Sequence, residues 1–152
     1  MKVLMISGSP FLGGAEIAAR RIAEGLHTIG CEVIFVTTYN QEMPNTHFTK
    51  IDYPYRGMKI QILKNLKYIS YPASFTYNTR FAIKFFKRLL SELNPDVINV
   101  HNIKQAFWGP EIVGVCAEYA PTVWTLHDMS SFTGRCIHAL DCEGYLTGCG
   151  ES

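Results

Sequence analysis

Two short apolar runs flank a helical segment near the N-terminus, and this arrangement limits the fold more than any other feature. Val3 to Ile6 is apolar at every position, and so is Val33 to Val36. Strands of that kind are buried on both faces, as in parallel sheets covered by helices. The residues between them, about Ala15 to Ile29, have helical periodicity. The inner face of this helix is predicted to carry Ala18, Ile22, Gly25, Leu26 and Ile29.

The same alternation continues along the chain. Further strands are predicted near Phe48 to Ile51, from Asp96 to Val100 and from Thr122 to Leu126. Helices are predicted over 57–70, 78–92 and about 105–119, the second with an inner stripe of Phe81, Phe85 and Leu89. Strands that alternate with helices predict the α/β class, here a Rossmann-like parallel sheet covered by helices on both faces. We expect one domain over 1–152, ending in an irregular cysteine-containing tail over 129–152.

Charge and hydropathy exclude several classes of protein. Lys plus Arg is 14 and Asp plus Glu is 13, so the net charge of +1 does not call for a nucleic-acid partner. No apolar run approaches the roughly 20 residues that span a bilayer. No export signal is recognisable, so we expect a cytoplasmic protein with reduced thiols.

Basic residues are nevertheless concentrated in one stretch. No acid lies between Asp52 and Glu92, and this stretch carries 8 of the 14 cations. They are Arg56, Lys59, Lys64, Lys67, Arg80, Lys84, Lys87 and Arg88, interleaved with aromatic residues. Residues 56–88 would suit an anionic membrane surface or a lipid phosphate. RNA is a second partner of this chemistry, and a solvated helix face is the alternative without any partner.

Three loops follow the carboxyl ends of predicted strands, where parallel sheets bind their ligands. They are Gly8 to Gly14, His101-Asn102 and His127-Asp128. Gly13 and Gly14 precede a helix, whose N-terminus favours an anion. Their spacing matches neither the dinucleotide fingerprint nor the phosphate-binding loop, and a tight turn is the alternative.

The two histidines at strand ends are the candidates for acid–base or hydrogen-bonding chemistry. An imidazole such as His127 can donate or accept a proton near neutral pH, and Asp128 could orient it or compensate its charge. His101 has a plainer alternative as a satisfied surface histidine. We take His127 as the candidate catalytic residue.

The cysteines fall into two groups. Cys31 and Cys116 lie in apolar segments and are expected in the core. Cys136, Cys142 and Cys149 accompany His138 and Asp141 in the tail. Their spacing lacks the tight pair that is typical of zinc sites, so free thiols are favoured and no metal site is predicted.

Several of these motifs together resemble a known family. They are Gly13-Gly14-Ala15-Glu16, the segment Asp96 to Asn102, and Trp124-Thr125-Leu126-His127-Asp128. Together they resemble the N-terminal half of family-4-type glycosyltransferases with the GT-B fold. The tail, with Phe132 to Cys136, Cys142 and Gly148-Cys149-Gly150, is similar to a subgroup that builds exopolysaccharide and O-antigen chains.

The resemblance implies one of two Rossmann-like domains that face each other across a cleft. It implies that Gly13 and Gly14 approach the phosphates of a nucleotide-sugar donor and that His127 contacts the transferred sugar. His101 and Asn102 would line the acceptor side, and Asp128 would be a further substrate-binding residue. The domain that binds the donor is absent from these 152 residues, so we expect no appreciable sugar transfer from them alone. The resemblance further implies that no metal or other cofactor is required.

Two other functions stay open at this point. The chain could be a stand-alone module that binds a glycan or a nucleotide without turnover. It could also be another Rossmann-like enzyme, such as an epimerase or a reductase, although the missing dinucleotide glycine spacing argues against that.

Overall fold

The computed structural model describes residues 1–8, 13–38, 46–54, 71–106, 108–133 and 136–148. For residues 71–78 and 105 it describes the backbone only. The predicted helix over 57–70 lies outside the described residues.

Five strands form one sheet in the order β3-β2-β1-β4-β5. Every adjacent pair is parallel, which confirms the predicted parallel sheet. The central strand β1 pairs with β2 and β4, so that Ile6 lies opposite both Val36 and Val100. The strands are β1 (Lys2–Ile6), β2 (Glu32–Thr37), β3 (Thr49–Asp52), β4 (Val97–Val100) and β5 (Thr122–Trp124).

Five α-helices and one 3-10 turn connect or follow these strands within the described residues. They are α1 (Gly14–Thr28), α2 (Tyr71–Leu93), the 3-10 turn (Lys104–Ala106), α3 (Glu111–Tyr119), α4 (Ser130–Thr133) and α5 (Gly144–Thr147). The last two lie in the tail that was predicted to be irregular.

Three predicted boundaries were wrong. The helix predicted over 78–92 begins at Tyr71 and ends at Leu93. The helix predicted from Gln105 begins only at Glu111, because Pro110 disfavours helical backbone at the residue before it and starts a new helix instead. The strand predicted to reach Leu126 ends at Trp124. Within the described sheet β5 is an edge strand, and Val123 is exposed.

The helices cover both faces of the sheet, as predicted. On one face, Val3 and Met5 of β1 lie in a cluster with Ala19 and Ala23 of α1. On the other face, Leu4 and Ile6 lie in a larger cluster with residues of α2 and α3, including Phe86, Leu90 and Ile112. Each face of β1 therefore packs against a different layer. Cys31 belongs to the first cluster and Cys116 to the second, which confirms both as core residues.

The inner face of α1 differs from the prediction. The buried residues of the helix are Glu16, Ala19 and Ala23, whereas Ile22 and Ile29 are 40% and 76% exposed. Residues 16, 19, 23 and 26 also follow helical spacing, and Leu26 packs at the edge of the cluster. The small side chains of Ala19 and Ala23 let the helix approach the sheet closely. The inward-facing Glu16 positions the first turn of the helix through its hydrogen bond with Asn102. An assignment by hydrophobicity alone selects the isoleucines instead.

The prediction of the inner stripe of α2 was wrong at one position. Phe81 is 51% exposed, while Ala82, Phe86, Leu89 and Leu90 are buried. Phe86 is fully buried and makes an edge-to-face contact with Trp108, at 5.2 Å between ring centroids. Phe85 is only partly buried. The packed face therefore lies about one residue further along the helix than predicted.

The outward face of α2 is basic. Its exposed residues include Arg80, Phe81, Lys84, Lys87 and Arg88. Arg88 pairs with Glu92 at 2.8 Å, and Lys87 lies 4.0 Å from Glu118. Among the helices of the described residues, none combines the length and apolarity that crossing a membrane requires.

The two phenylalanines of α2 provide a test of this packing. Phe86→Ala removes a fully buried ring and should lower the free energy of unfolding by about 3–5 kcal/mol. Phe81→Ala, five residues earlier on the exposed face, should lower it by less than about 1 kcal/mol. Urea unfolding of both variants measures the difference. Equal losses would contradict the observed rotation of α2.

Candidate functional site

The loops after β1, β4 and β5 meet at one edge of the sheet. The chain connects β1 to β2 on one side, whereas β4 and β5 lie on the other, so the strand order reverses between β1 and β4. Hydrogen bonds join these loops: the Gly8 N–H donates to the Asn102 carbonyl at 2.9 Å, and the His101 N–H donates to the Ile6 carbonyl at 2.8 Å. Open α/β sheets bind their ligands at such a reversal.

A cleft of about 320 Å³ lies at this edge. Its lining includes Gly13, Gly14, Glu16, Asn102, His127 and Asp128. The structure thus brings five of the six predicted site residues to one cleft. The sixth, His101, lies behind His127 and is 1% exposed.

The two glycines of the turn have different structural requirements. Gly13 has φ 98° and ψ 168°, a conformation that side chains rarely adopt. A Cβ there would lie 2.9 Å from Oε2 of Glu16. Gly14 is the first residue of α1, and a Cβ there would meet no atom of the described residues within 4 Å. The backbone therefore requires glycine at position 13, while position 14 has open space in front of it.

Glu16 is the site residue that the sequence analysis did not select. It is 1% exposed, and its Oε1 accepts a hydrogen bond of 2.8 Å from the Asn102 amide. Burial raises the pKa of this carboxyl, while its own backbone N–H, Asn102 and the charge of His127 act in the opposite direction. The sequence did contain a signal for Glu16, because it is an acid in the third position of a helix that follows a glycine. Acidic side chains at this position turn back onto the N-terminal end of the helix.

Three side chains form a hydrogen-bonded series beneath the cleft. Oδ1 of Asn99 lies 2.7 Å from Nε2 of His101, and Nδ1 of His101 lies 2.9 Å from Nε2 of His127. Burial, and secondarily the charge of His127, lowers the pKa of His101 to about 4. His101 is therefore neutral at physiological pH, with both ring nitrogens engaged by protein groups. His127, at the end of the series, is exposed and lines the cleft.

Asn99 is also a residue that the sequence analysis did not select. Its amide nitrogen donates to the Val123 carbonyl at 3.0 Å and contacts the Thr125 hydroxyl at 2.9 Å. The sequence did contain a signal for Asn99, because it is the one polar residue in the otherwise apolar strand β4. Its side chain ties β4 to β5 and supports His101.

Asp128 does not compensate His127 by a hydrogen bond among the described contacts. Its Oδ1 accepts hydrogen bonds from the Ser130 N–H, at 2.8 Å, and from the Ser130 hydroxyl. The carboxylate therefore caps the start of α4. Its predicted role in substrate binding stays a prediction.

The tail places one further histidine at the cleft. His138 and Ile137 line it beside His127. Cys136 and Cys142 are exposed free thiols, and Cys149 lies outside the described residues. The described part of the chain contains no group of three His, Cys, Asp or Glu side chains arranged to hold a metal.

The glycine turn generates a paired prediction. Gly13→Ala should lower the free energy of unfolding by about 1–3 kcal/mol, because alanine is strained at this φ and ψ. Gly14→Ala should leave it unchanged or raise it by up to about 1 kcal/mol, because alanine restricts the unfolded chain. Thermal or urea unfolding gives both values. A Gly13→Ala variant as stable as Gly14→Ala would contradict the described turn.

Comparison with known proteins identifies the family. The sequence model described as Glycosyltransferase Family 4 matches residues 12–141. This range includes the glycine turn, His101, His127 and the strands β2 to β5. No curated protein matches the chain. Because the family match spans most of the sequence and the fold is the expected Rossmann-like sheet, the chain belongs to glycosyltransferase family 4.

Proposed function

We propose that this chain is the N-terminal, acceptor-side domain of an enzyme that transfers a sugar from a nucleotide-sugar to a glycan or lipid-linked acceptor. The observation that carries the proposal is the meeting of the glycine turn and His127 at one cleft, in a chain of glycosyltransferase family 4. The likeness of the tail to the exopolysaccharide and O-antigen subgroup supports a polysaccharide product.

The reaction breaks the bond between the anomeric carbon and the donor phosphate. The bonding electrons leave with the nucleoside diphosphate, the acceptor oxygen bonds to the anomeric carbon, and the acceptor proton is released. We propose that the configuration at the anomeric carbon is retained and that no metal is required. Negative charge on the leaving diphosphate would then be stabilised by N–H groups at the start of α1 and by basic side chains.

Each site residue has a proposed part in this reaction. Gly13 and Gly14 let the donor phosphates approach the helix N-terminus, and the open space in front of Gly14 supports that approach. His127 hydrogen-bonds the transferred sugar. Asn102 and Asp128 line the cleft, where Asn102 would contact the acceptor and Asp128 would contribute to substrate binding. His101 is buried, so we propose that it acts through His127.

Glu16 affects the charge of this site. Its carboxylate lies under the glycine turn, where it would repel a phosphate while ionised. Two features reduce that effect: the Asn102 amide binds one carboxylate oxygen, and burial raises the pKa. Glu16 thus lies buried beneath the turn, with one carboxylate oxygen bound by Asn102.

The function is tested on the protein as its source produces it, with its length first established from the intact mass. A panel of nucleotide-sugars and lipid or glycan acceptors is assayed for sugar transfer. His127→Ala should lower kcat/KM by at least about 100-fold, as expected for a group that contacts the reacting sugar. His27→Ala, at an exposed histidine in the last turn of α1, is the matched control and should leave the rate unchanged.

Two outcomes would contradict the proposal. Equal rates for His127→Ala and the native enzyme would remove His127 from the reaction. Binding of a nucleotide-sugar or glycan without any transfer would favour a binding module instead. For the 152 residues alone we propose binding without appreciable transfer, because the resemblance assigns the donor site to a second domain.

We further propose that the outward face of α2 binds an anionic membrane surface. Four cations, Arg80, Lys84, Lys87 and Arg88, lie on that face at helical spacing, and Glu92 is the one acid in the helix. The half-exposed Phe81 lies among them. A basic face with an exposed aromatic residue suits the interface of anionic lipids. Binding there would hold the cleft near a lipid-linked acceptor at the cytoplasmic side of a membrane.

Vesicle co-sedimentation tests this surface. With vesicles of phosphatidylserine and phosphatidylcholine, the double variant R80Q/K84Q should bind about 30-fold more weakly, since each basic residue contributes roughly 1 kcal/mol. R20Q/R21Q removes the same charge from α1 and should bind nearly as well as the native chain. An equal loss of vesicle binding in both double variants would contradict the proposal, and so would binding that does not depend on anionic lipid.

A further inference from the structure

The orientation of the Asn99 amide is fixed by its neighbours. One end of the amide lies 3.0 Å from the carbonyl oxygen of Val123, which can only accept a hydrogen bond. The amide nitrogen must therefore occupy that end, since an oxygen there would face another oxygen. The amide oxygen consequently faces His101, at 2.7 Å from Nε2.

This orientation determines the tautomer of His101. Oδ1 of Asn99 is only an acceptor, so Nε2 of His101 carries a proton and donates it. His101 is 1% exposed, and its lowered pKa of about 4 keeps the ring neutral at physiological pH. A neutral imidazole has one N–H. Nδ1 of His101 is therefore the unprotonated nitrogen, and it accepts a hydrogen bond.

The same reasoning extends to His127. Its Nε2 lies 2.9 Å from the unprotonated Nδ1 of His101, so Nε2 of His127 must be the donor. In the neutral ring, Nδ1 of His127 is then the unprotonated nitrogen. No other side-chain hydrogen bond of His127 occurs among the described residues. His127 is exposed and lines the cleft beside Glu16 and Asn102.

We propose that Asn99 and His101 are positioning residues that fix the proton of His127 on Nε2. Nδ1 of His127 is then the nitrogen that accepts a hydrogen bond from a hydroxyl group of a ligand in the cleft. That this hydroxyl belongs to a sugar rests on the proposed function; the assignment of the proton does not. When His127 takes up a second proton, the proton bonds to the lone pair of Nδ1.

The assignment can be read directly from the native chain. In the 152-residue chain labelled with ¹⁵N-histidine, two-bond ¹H–¹⁵N spectra distinguish protonated from unprotonated ring nitrogens. Spectra are recorded without ligand, at a pH where His127 is neutral. We expect Nε2 of both His101 and His127 to be protonated and Nδ1 of both to be unprotonated. A proton on Nδ1 of His127 would overturn the proposal.

Variants then test whether Asn99 is the cause. Asn99→Leu removes the acceptor for His101, so a substantial share of His127 should change to the Nδ1-protonated tautomer. Thr125→Val is the matched control: it removes the hydroxyl contact of Asn99 but keeps the Val123 carbonyl that orients the amide, so the tautomer should stay unchanged.

The outcomes separate the inference from the proposed function. An unchanged tautomer in a folded Asn99→Leu variant would overturn the role of Asn99. If that variant does not fold, the spectrum of the native chain still decides the assignment at His101 and His127. Because these spectra require no substrate, the absence of sugar transfer would contradict the proposed function and leave the tautomer result standing.

Discussion

Pairing of β1 with a parallel strand on each side is the constraint on which the rest of this structure depends. β1 is buried on both faces, so α1 must pack on one of them while α2 and α3 pack on the other. Because α1 follows β1 on one face of the sheet and α3 follows β4 on the other, room for a ligand remains at this edge. The same hydrogen bonds that hold the sheet thus position the cleft.

The cleft is formed by buried polar side chains that are held by hydrogen bonds. Burial of a carboxylate such as Glu16 or an imidazole such as His101 is unfavourable without partners. Here Asn102 binds Glu16, and Asn99 and His127 bind His101. Each partner also restricts the orientation of the side chain that it binds. The polar residues exposed to a ligand, Asn102 and His127, are therefore preorganised by those behind them.

The two faces of α2 have separate roles in the molecule. Phe86 on the inner face contacts Trp108, which in turn contacts Tyr53, all in edge-to-face geometry. This aromatic cluster anchors the helix on the sheet. With the anchoring provided from within, the basic residues outside contribute little to packing. They lie on the outside of the helix, where Lys87 and Arg88 approach Glu118 and Glu92.

The α/β class, the parallel sheet and the positions of the loops at its edge follow from the sequence, because buried strands and helices have distinct local periodicities. The sequence also indicated Gly13, Gly14 and His127. Tertiary structure alone decided the inner faces of α1 and α2 and the roles of Glu16 and Asn99. Glu16 meets a partner 86 positions away, and His101 meets one 26 positions away. Local periodicity contains no information on such contacts, since they arise only when separate strands are brought side by side.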